Sequence, residues 1–257
     1  RKEFAGYDQS YHRVAWRIFC ESDVGIKTYR SFQHSDPQKF ILAGYLKAER
    51  ILRLKGQGSW PLPEPAGRSF RVIWAPHHSV YPGTLGFGVF HRFYIDMLKW
   101  AASAENIQFV LKPHPALRRS LEISGHLSTE QYDQYLSIWN SLENCGVCDG
   151  DYASLFDASD LMITDGISFL TEYPILDKPL IFIDSGIHHP FNELGEVAIA
   201  CAERVETFDQ LKASATICQL HGFHDLIQEC NRLRQTFLPC TRSPSDIFLN
   251  TIAADMH

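Results

Sequence analysis

Residues 161–183, LMITDGISFLTEYPILDKPLIFI, hold two apolar runs joined by a turn and an amphipathic stretch. The first run stops at Thr164-Asp165-Gly166, and the second, PLIFI, begins after Lys178. Both runs are apolar throughout instead of alternating. That predicts strands covered on both faces, as in a parallel sheet with crossover helices.

The same grammar extends outward. FRVIWA (70–75) reads as a β-branched and aromatic strand, followed by the loop PHHSVYPGTLG. Residues 88–104 carry Phe90, Phe93, Met97, Trp100 and Ala101 at helical spacing. NIQFVLKPHP (106–115) is a strand stopped by proline, and residues 128–142 are a helix capped by Ser128. DYASLFDAS (151–159) reads as a short helix and ISFLTEYPILD (167–177) as one helix. TFDQLKASATI (207–217) and HDLIQECNRLRQTF (224–237) make the last fifty residues mainly helical. The fold class expected is α/β, an open parallel sheet with helices on both faces.

Residues 56–69, GQGSWPLPEPAGRS, contain three glycines and three prolines with no helical or strand period, the composition of a linker. The expected division is therefore 1–55, the end of a truncated N-terminal domain and an interdomain segment, then the linker 56–69, then a Rossmann-like nucleotide-donor-binding domain at 70–257. The chain starts at Arg1 without a methionine, so it is expected to be a piece of something longer, with any targeting signal removed.

With 257 residues, 45% hydrophobic and 21% charged, the composition is that of a globular protein. A net charge of −6 argues against a general nucleic-acid binder, which needs a basic face to release counterions. No apolar run reaches the roughly 20 residues of a membrane span, and no signal peptide is visible. The seven cysteines, scattered among apolar residues, read as reduced thiols in a cytoplasmic protein. Cys145 and Cys148 have redox-motif spacing, but no second pair completes a zinc site and no helix start follows Cys145, so they read as structural.

Ligands in open parallel sheets bind beyond the carboxyl ends of the strands. Three polar loops fall there: PHHS after 70–75, KPHP after 107–111, and TDGIS after 161–163. In the third, Gly166 lets a phosphate approach the backbone at a helix start and Ser168 adds a hydroxyl. Glu172 lies four residues on, on the same face, placed for ribose hydroxyls; the plainer alternative is a capped turn with a solvated Glu172. Asp165 caps the helix or orients a ligand hydroxyl. Lys112 neutralises a diphosphate, and His114 donates to a leaving phosphate oxygen. His77, His78 and Ser79 close the first strand end, and neighbouring residues on extended chain diverge, so one of the two histidines is expected to face the cleft.

A metal site is not expected: His77, His78, His114, His188 and His189 all lie on loops, without HExxH or paired ligand spacing. No G-x-S-x-G elbow and no G-x-G-x-x-G turn is present, which excludes the serine-hydrolase and dinucleotide readings on motif grounds.

Taken in order, IWAPHHS, FVLKPHP and YASLFDASDLMITDGISFLTEYPILDKPLIFI resemble the CDP-glycerol glycerophosphotransferase family, the teichoic-acid and capsule polymerase group. The likeness runs from about residue 40, where FILAGYLKAERIL resembles the family's glycine-tyrosine joining segment, to about 190. His114-Pro115, Thr164-Asp165, Ser168, Glu172 and Lys178-Pro179 fall on its motifs. Two departures stand out: Gly166-Ile167-Ser168 replaces the family's frequent Tyr-Ser-Ser, and His77-His78-Ser79 replaces threonine and arginine.

The resemblance implies a GT-B fold and attack by a polyol or sugar hydroxyl on a nucleotide-activated donor such as CDP-glycerol, releasing CMP. It implies no cofactor beyond that donor. The acceptor would be a polyol-phosphate or polysaccharide chain, with peripheral association at the inner membrane face through regions outside this chain. In this scheme His114, with His77 or His78 assisting, is catalytic. Lys112, Ser79, Thr164, Asp165, Gly166, Ser168 and Glu172 bind the donor. Alternatives on the same fold are a non-catalytic nucleotide-binding module and a nucleotide-sugar epimerase or glycosyltransferase.

Overall fold

The computed structural model describes residues 8–34, 36–64, 67–81, 83–222 and 226–256. In chain order the elements are α1 (Ser10–Val14), β1 (Ile18–Cys20), α2 (Asp23–Phe32), β2 (Phe40–Leu42) and α3 (Leu46–Arg53). Then come β3 (Phe70–Ala75), α4 (Phe90–Ser103), β4 (Ile107–Leu111), α5 (Leu117–Ile123), α6 (Thr129–Ser141) and β5 (Cys145–Val147). These lead to α7 (Ala153–Ala158), β6 (Leu161–Thr164), α8 (Ile167–Glu172), β7 (Leu180–Ile183), α9 (Glu193–Ile199) and β8 (Glu203–Val205). Three helices close the chain: α10 (Phe208–His221), α11 (Ile227–Phe237) and α12 (Pro244–Asp255). The expected start of α11 at His224-Asp225 lies outside the described residues.

Six parallel strands form one sheet in the order β5-β4-β3-β6-β7-β8. Side chains alternate across it, as a pleat requires. Val72 and Trp74 enter one core with Phe90, Trp100, Phe109 and Trp139. Ile73 and Ala75 enter the other with Phe156, Met162, Tyr173 and Phe182. Both faces are covered, which is why the strands read as unbroken apolar runs.

The strand order creates the site. From β3 the chain moves out through β4 to β5, then returns to lay β6 on the opposite side of β3. The loops leaving β3 and β6 therefore part company at a topological switch point, where a crevice opens at the strand ends.

The segment read as one helix over 167–177 breaks in two. Pro174 has no N–H to continue the ladder, so α8 stops at Glu172 and residues Pro174–Leu176 form a 3-10 turn, ended by Asp177 at φ 59°. Lys178 then donates to the carbonyls of Phe156 (3.0 Å), Asp157 and Ser159 (2.7 Å), placing its charge at the carboxyl end of α7.

A second, two-stranded parallel sheet pairs β1 with β2 and packs Cys20, Phe40 and Ile26 of α2 together. At its exit Gly44 adopts φ +85°, where an added Cβ would lie 2.9 Å from the Phe237 carbonyl oxygen. Both the conformation and the close approach call for glycine. Tyr45 N–H then bonds Phe237 O at 2.8 Å, and Ala48 and Ile51 of α3 are buried in the large sheet's second core. The C-terminal α12 returns to the small sheet, with Phe248 and Phe19 rings 4.5 Å apart and Arg17 bonded to Asp255 at 2.8 Å.

Described residues of 56–69 form no strand and no helix beyond the turn that closes α3. They lie along the large unit: Ser59 N–H bonds Ser154 O, Gln108 Nε2 bonds Pro63 O, and Gly58 sits against the Ala158 backbone. Pro65 and Ala66, like residues 1–7, lie outside the described residues. Among those described, no helix is long and apolar enough to cross a membrane.

Candidate functional site

A cavity of about 330 Å³ sits at the switch point. All three polar loops contribute to it: His77 from the first, Lys112, Pro113, His114 and Pro115 from the second, and Thr164, Gly166 and Ser168 from the third. Glu172 enters from the end of α8, and Lys47, Tyr152 and Phe169 complete the wall. His78 lies against the same cluster, its ring stacked on His114 at 4.0 Å.

Of the two adjacent histidines, His77 lines the cavity and His78 does not. Their rings are nevertheless 4.4 Å apart and both approach His114. They stay close because the chain leaves β3 at Pro76 and bends at once, with Val80 N–H bonded to His78 O at 2.9 Å. Burial lowers all three imidazoles; neighbouring His78 and His114 depress His77 further, to about 3. They are neutral at pH 7. The Nδ1 of His77 accepts from Ser79 N–H (3.2 Å) and that of His114 from Ala116 N–H (3.1 Å). A neutral imidazole whose Nδ1 accepts carries its proton on Nε2. Each ring is therefore fixed as an Nε2–H donor.

Lys112 is only 8% exposed, yet among the described residues its ammonium enters no ion pair. An ammonium at a cavity wall with no carboxylate beside it is available to an anionic ligand. Glu172 presents the opposite charge and is fully buried, which overturns the solvated alternative. Its Oε1 accepts from the Tyr45 hydroxyl at 2.7 Å and Lys47 Nζ at 3.3 Å, while Oε2 is buried with no hydrogen-bond partner. Burial first, and the nearby Glu172 carboxylate next, push the Tyr152 phenol upward. Tyr152 and Phe169, their rings 5.1 Å apart, give the cavity an aromatic side.

Three residues expected to touch ligand serve the scaffold. Asp165 neither caps α8 nor faces the cavity: its two oxygens accept the N–H groups of His77 and Val89, each at 2.6 Å. Burial raises its carboxyl to about 7 against the opposing effect of those amides. Ser79 lies behind the wall, bonded through Oγ to His77 Nδ1 (2.8 Å) and Phe87 N–H (3.0 Å). Thr164 lines the cavity, but its hydroxyl proton is committed to Ala75 O at 2.7 Å, leaving none for a phosphate. Gly166 and Ser168 do lie at the cavity, although α8 has six residues and hence a small dipole.

Tyr45, Lys47, Tyr152 and Phe169 were not singled out from sequence as site residues. Tyr45 and Lys47 reach Glu172 across 127 and 125 positions, a proximity that no local pattern encodes. Among the described residues no group of histidine, cysteine or acidic side chains is arranged to hold a metal.

Comparison with known proteins bears on the fold and on the central stretch of the sequence. No curated protein matches the sequence. Among solved structures, the UDP-GlcNAc 2-epimerase of Neisseria meningitidis bound to UDP-GlcNAc superposes with a TM-score of 0.53 at 15% identity, covering 93% of this chain and 61% of its own. The MnaA–UDP structure from S. aureus gives 0.58 at 12% identity, covering 95% and 61%. The wall teichoic acid polymerase TagF gives 0.53 at 16% identity, covering 93% and 58%. The chain thus spans about three-fifths of the length of these structures, and at such identities the likeness establishes the fold alone, of GT-B type. The profile of CDP-glycerol:poly(glycerophosphate) glycerophosphotransferases matches residues 62–188, the stretch that holds all three loops. Over those residues, just under half of the chain, the sequence is similar to the CDP-glycerol:poly(glycerophosphate) glycerophosphotransferase family.

Proposed function

We propose that residues 70–257 form the donor-binding half of a transferase that moves a polyol phosphate or sugar from a nucleotide-activated donor to a cell-envelope polymer. Residues 1–55 are the end of the facing unit and the interdomain segment, whose α3 packs into the second core, and 56–69 are the linker that follows. One observation carries the reading: a single cavity holds the Lys112 side chain, which pairs with no carboxylate among the described residues, and a buried Glu172 oxygen without a hydrogen-bond partner. A nucleoside diphosphate answers both, with phosphate oxygens at Lys112 and ribose hydroxyls donating to Glu172 Oε2. The base lies against Tyr152 and Phe169.

The Nε2–H groups of His77 and His114 point the same way, because neutral donors bind phosphate oxygens without needing a carboxylate partner. His114, beside Lys112, donates to the oxygen that gains charge as the nucleoside monophosphate leaves. His78 holds the His114 ring by stacking. Phosphoryl transfer asks little covalent chemistry of the protein, so positioning and charge neutralisation account for the catalysis.

The test is a thermal-shift panel of CDP, CDP-glycerol, UDP and GDP. Saturation at a hundredfold excess over Kd adds about 2.7 kcal/mol to stability. The expected result is a rise with cytidine ligands that His114→Ala reduces, through roughly tenfold or greater loss of affinity, and His221→Ala leaves unchanged. Absence of any shift, or equal loss in both variants, would overturn the reading.

A further inference from the structure

The two oxygens of Glu172 are in different states. Oε1 accepts from the Tyr45 hydroxyl at 2.7 Å and from Lys47 Nζ at 3.3 Å, whereas Oε2 is buried without a partner. Both donors lie ahead of residues 62–188, the stretch that the family profile covers: Tyr45 immediately precedes α3, and Lys47 is in its first turn. Tyr45 is held firmly. Its N–H bonds Phe237 O at 2.8 Å, and its ring lies 5.2 Å from that of Phe237. Ala48 and Ile51, just behind it, are buried in the second core. Burial first, and the Glu172 charge next, push the Tyr45 phenol upward, so it stays a hydroxyl donor throughout the physiological range. The Lys47 side chain is 58% exposed, so water screens it and its hold on Glu172 is weaker.

We infer that Tyr45 is a positioning residue: by engaging Oε1 it aims Oε2 into the cavity, so that selection of ribose over deoxyribose depends on a phenol supplied from ahead of the linker. The inference rests on the nucleotide reading of the cavity. A carboxylate is planar, with two acceptor sites on each oxygen. Tyr45 and Lys47 occupy both sites of Oε1 and thereby set the direction of the other oxygen. Oε2 alone is left to receive a sugar hydroxyl. A deoxy analogue returns that buried oxygen to its unmatched state, which is the condition under which a polar site discriminates most strongly. Tyr45→Phe keeps the ring and its packing on Phe237 and removes only the donor. Glu172 is then free to turn either oxygen toward Lys47, and the aim of Oε2 is lost.

Calorimetry on the whole chain tests this with CDP, 2′-deoxy-CDP, 3′-deoxy-CDP and inorganic pyrophosphate. The parent is expected to bind at least one deoxy analogue about tenfold more weakly than CDP. In Tyr45→Phe, CDP is expected to weaken about tenfold and the preference over that analogue to collapse toward one. Pyrophosphate, which has no ribose, should bind the variant as it binds the parent, and that binding also reports that the variant is folded. Lys47→Met is expected to move the same preference in the same direction by about threefold or less. A preference unchanged in Tyr45→Phe, equal losses for CDP and pyrophosphate, or a larger collapse in Lys47→Met overturns the positioning role. A parent that treats CDP and both deoxy analogues alike, or binds none of the four ligands, overturns the nucleotide reading instead.

Discussion

Lys112 and Glu172 carry opposite charges in one cavity, yet they are not paired with each other; Glu172 takes Lys47, and Lys112 takes no carboxylate among the described residues. Their loss should therefore be distinguishable. Lys112→Met keeps the apolar stem and removes a cation that no carboxylate pairs with, so it should fold well and lose about 1.5–3 kcal/mol of binding to both CDP and inorganic pyrophosphate. Glu172→Gln should weaken CDP by a similar amount while pyrophosphate, which has no ribose, binds as before. Calorimetry with the two ligands separates these outcomes. Asp165 and His77 act on stability in opposite senses. His77, held near 3, keeps its contribution above the ordinary 6.5 and loses it as pH falls toward 3. Asp165, raised to about 7 by burial, contributes most below 3.8 and loses that as pH rises through 7. In Asp165→Asn only the histidine slope remains. The variant should be less stable by about 1–3 kcal/mol, since a carboxamide meets one backbone N–H with an N–H of its own. Its melting temperature should climb more steeply from pH 4 to 7 than that of the parent, as thermal melts will show. At this scale the sequence placed Lys112, His114 and Ser168 at one cavity because residues just past a strand end face the crevice, and Glu172 because it lies a helical turn beyond Ser168. It concealed Asp165, whose partners are 88 and 76 positions away.

Among elements, the passage from α7 to β7 depends on Lys178, whose ammonium meets three carbonyls at the end of α7. Lys178→Met should unravel that end, costing about 2–4 kcal/mol by urea denaturation, with faster amide exchange confined to 153–160. The motif Lys178-Pro179 was visible in the sequence, but its purpose was not, since the carbonyls it satisfies precede it by some twenty residues. Helices α6 and α10 were read close to their true bounds because Ser128 and Thr207 form capping boxes with Gln131 and Gln210. The helix after Thr164 was read too long because apolar periodicity carries across Pro174, where the backbone cannot follow.

For the molecule as a whole, parallel strands and two covered faces were legible from unbroken apolar runs, whereas the order β5-β4-β3-β6-β7-β8 was not. Order arises from which crossovers pack best, a property of the assembled layers. The small sheet is tied to the rest through α12, where Phe248 meets Phe19. Phe248→Ala should remove about 0.5–1.5 kcal/mol of local stability and raise amide exchange across 18–42, leaving 70–205 protected.

The clasp formed by Asp165 has a further meaning for how such a protein diversifies. One carboxylate rooted in the sheet sets the backbone position of His77 on one side and the entry to α4 on the other. The imidazole thereby inherits the stiffness of the sheet. Tyr152 and Phe169 lie outside that clasp, so on the proposed nucleotide reading a change of base preference there would leave the backbone of His77 where the sheet holds it.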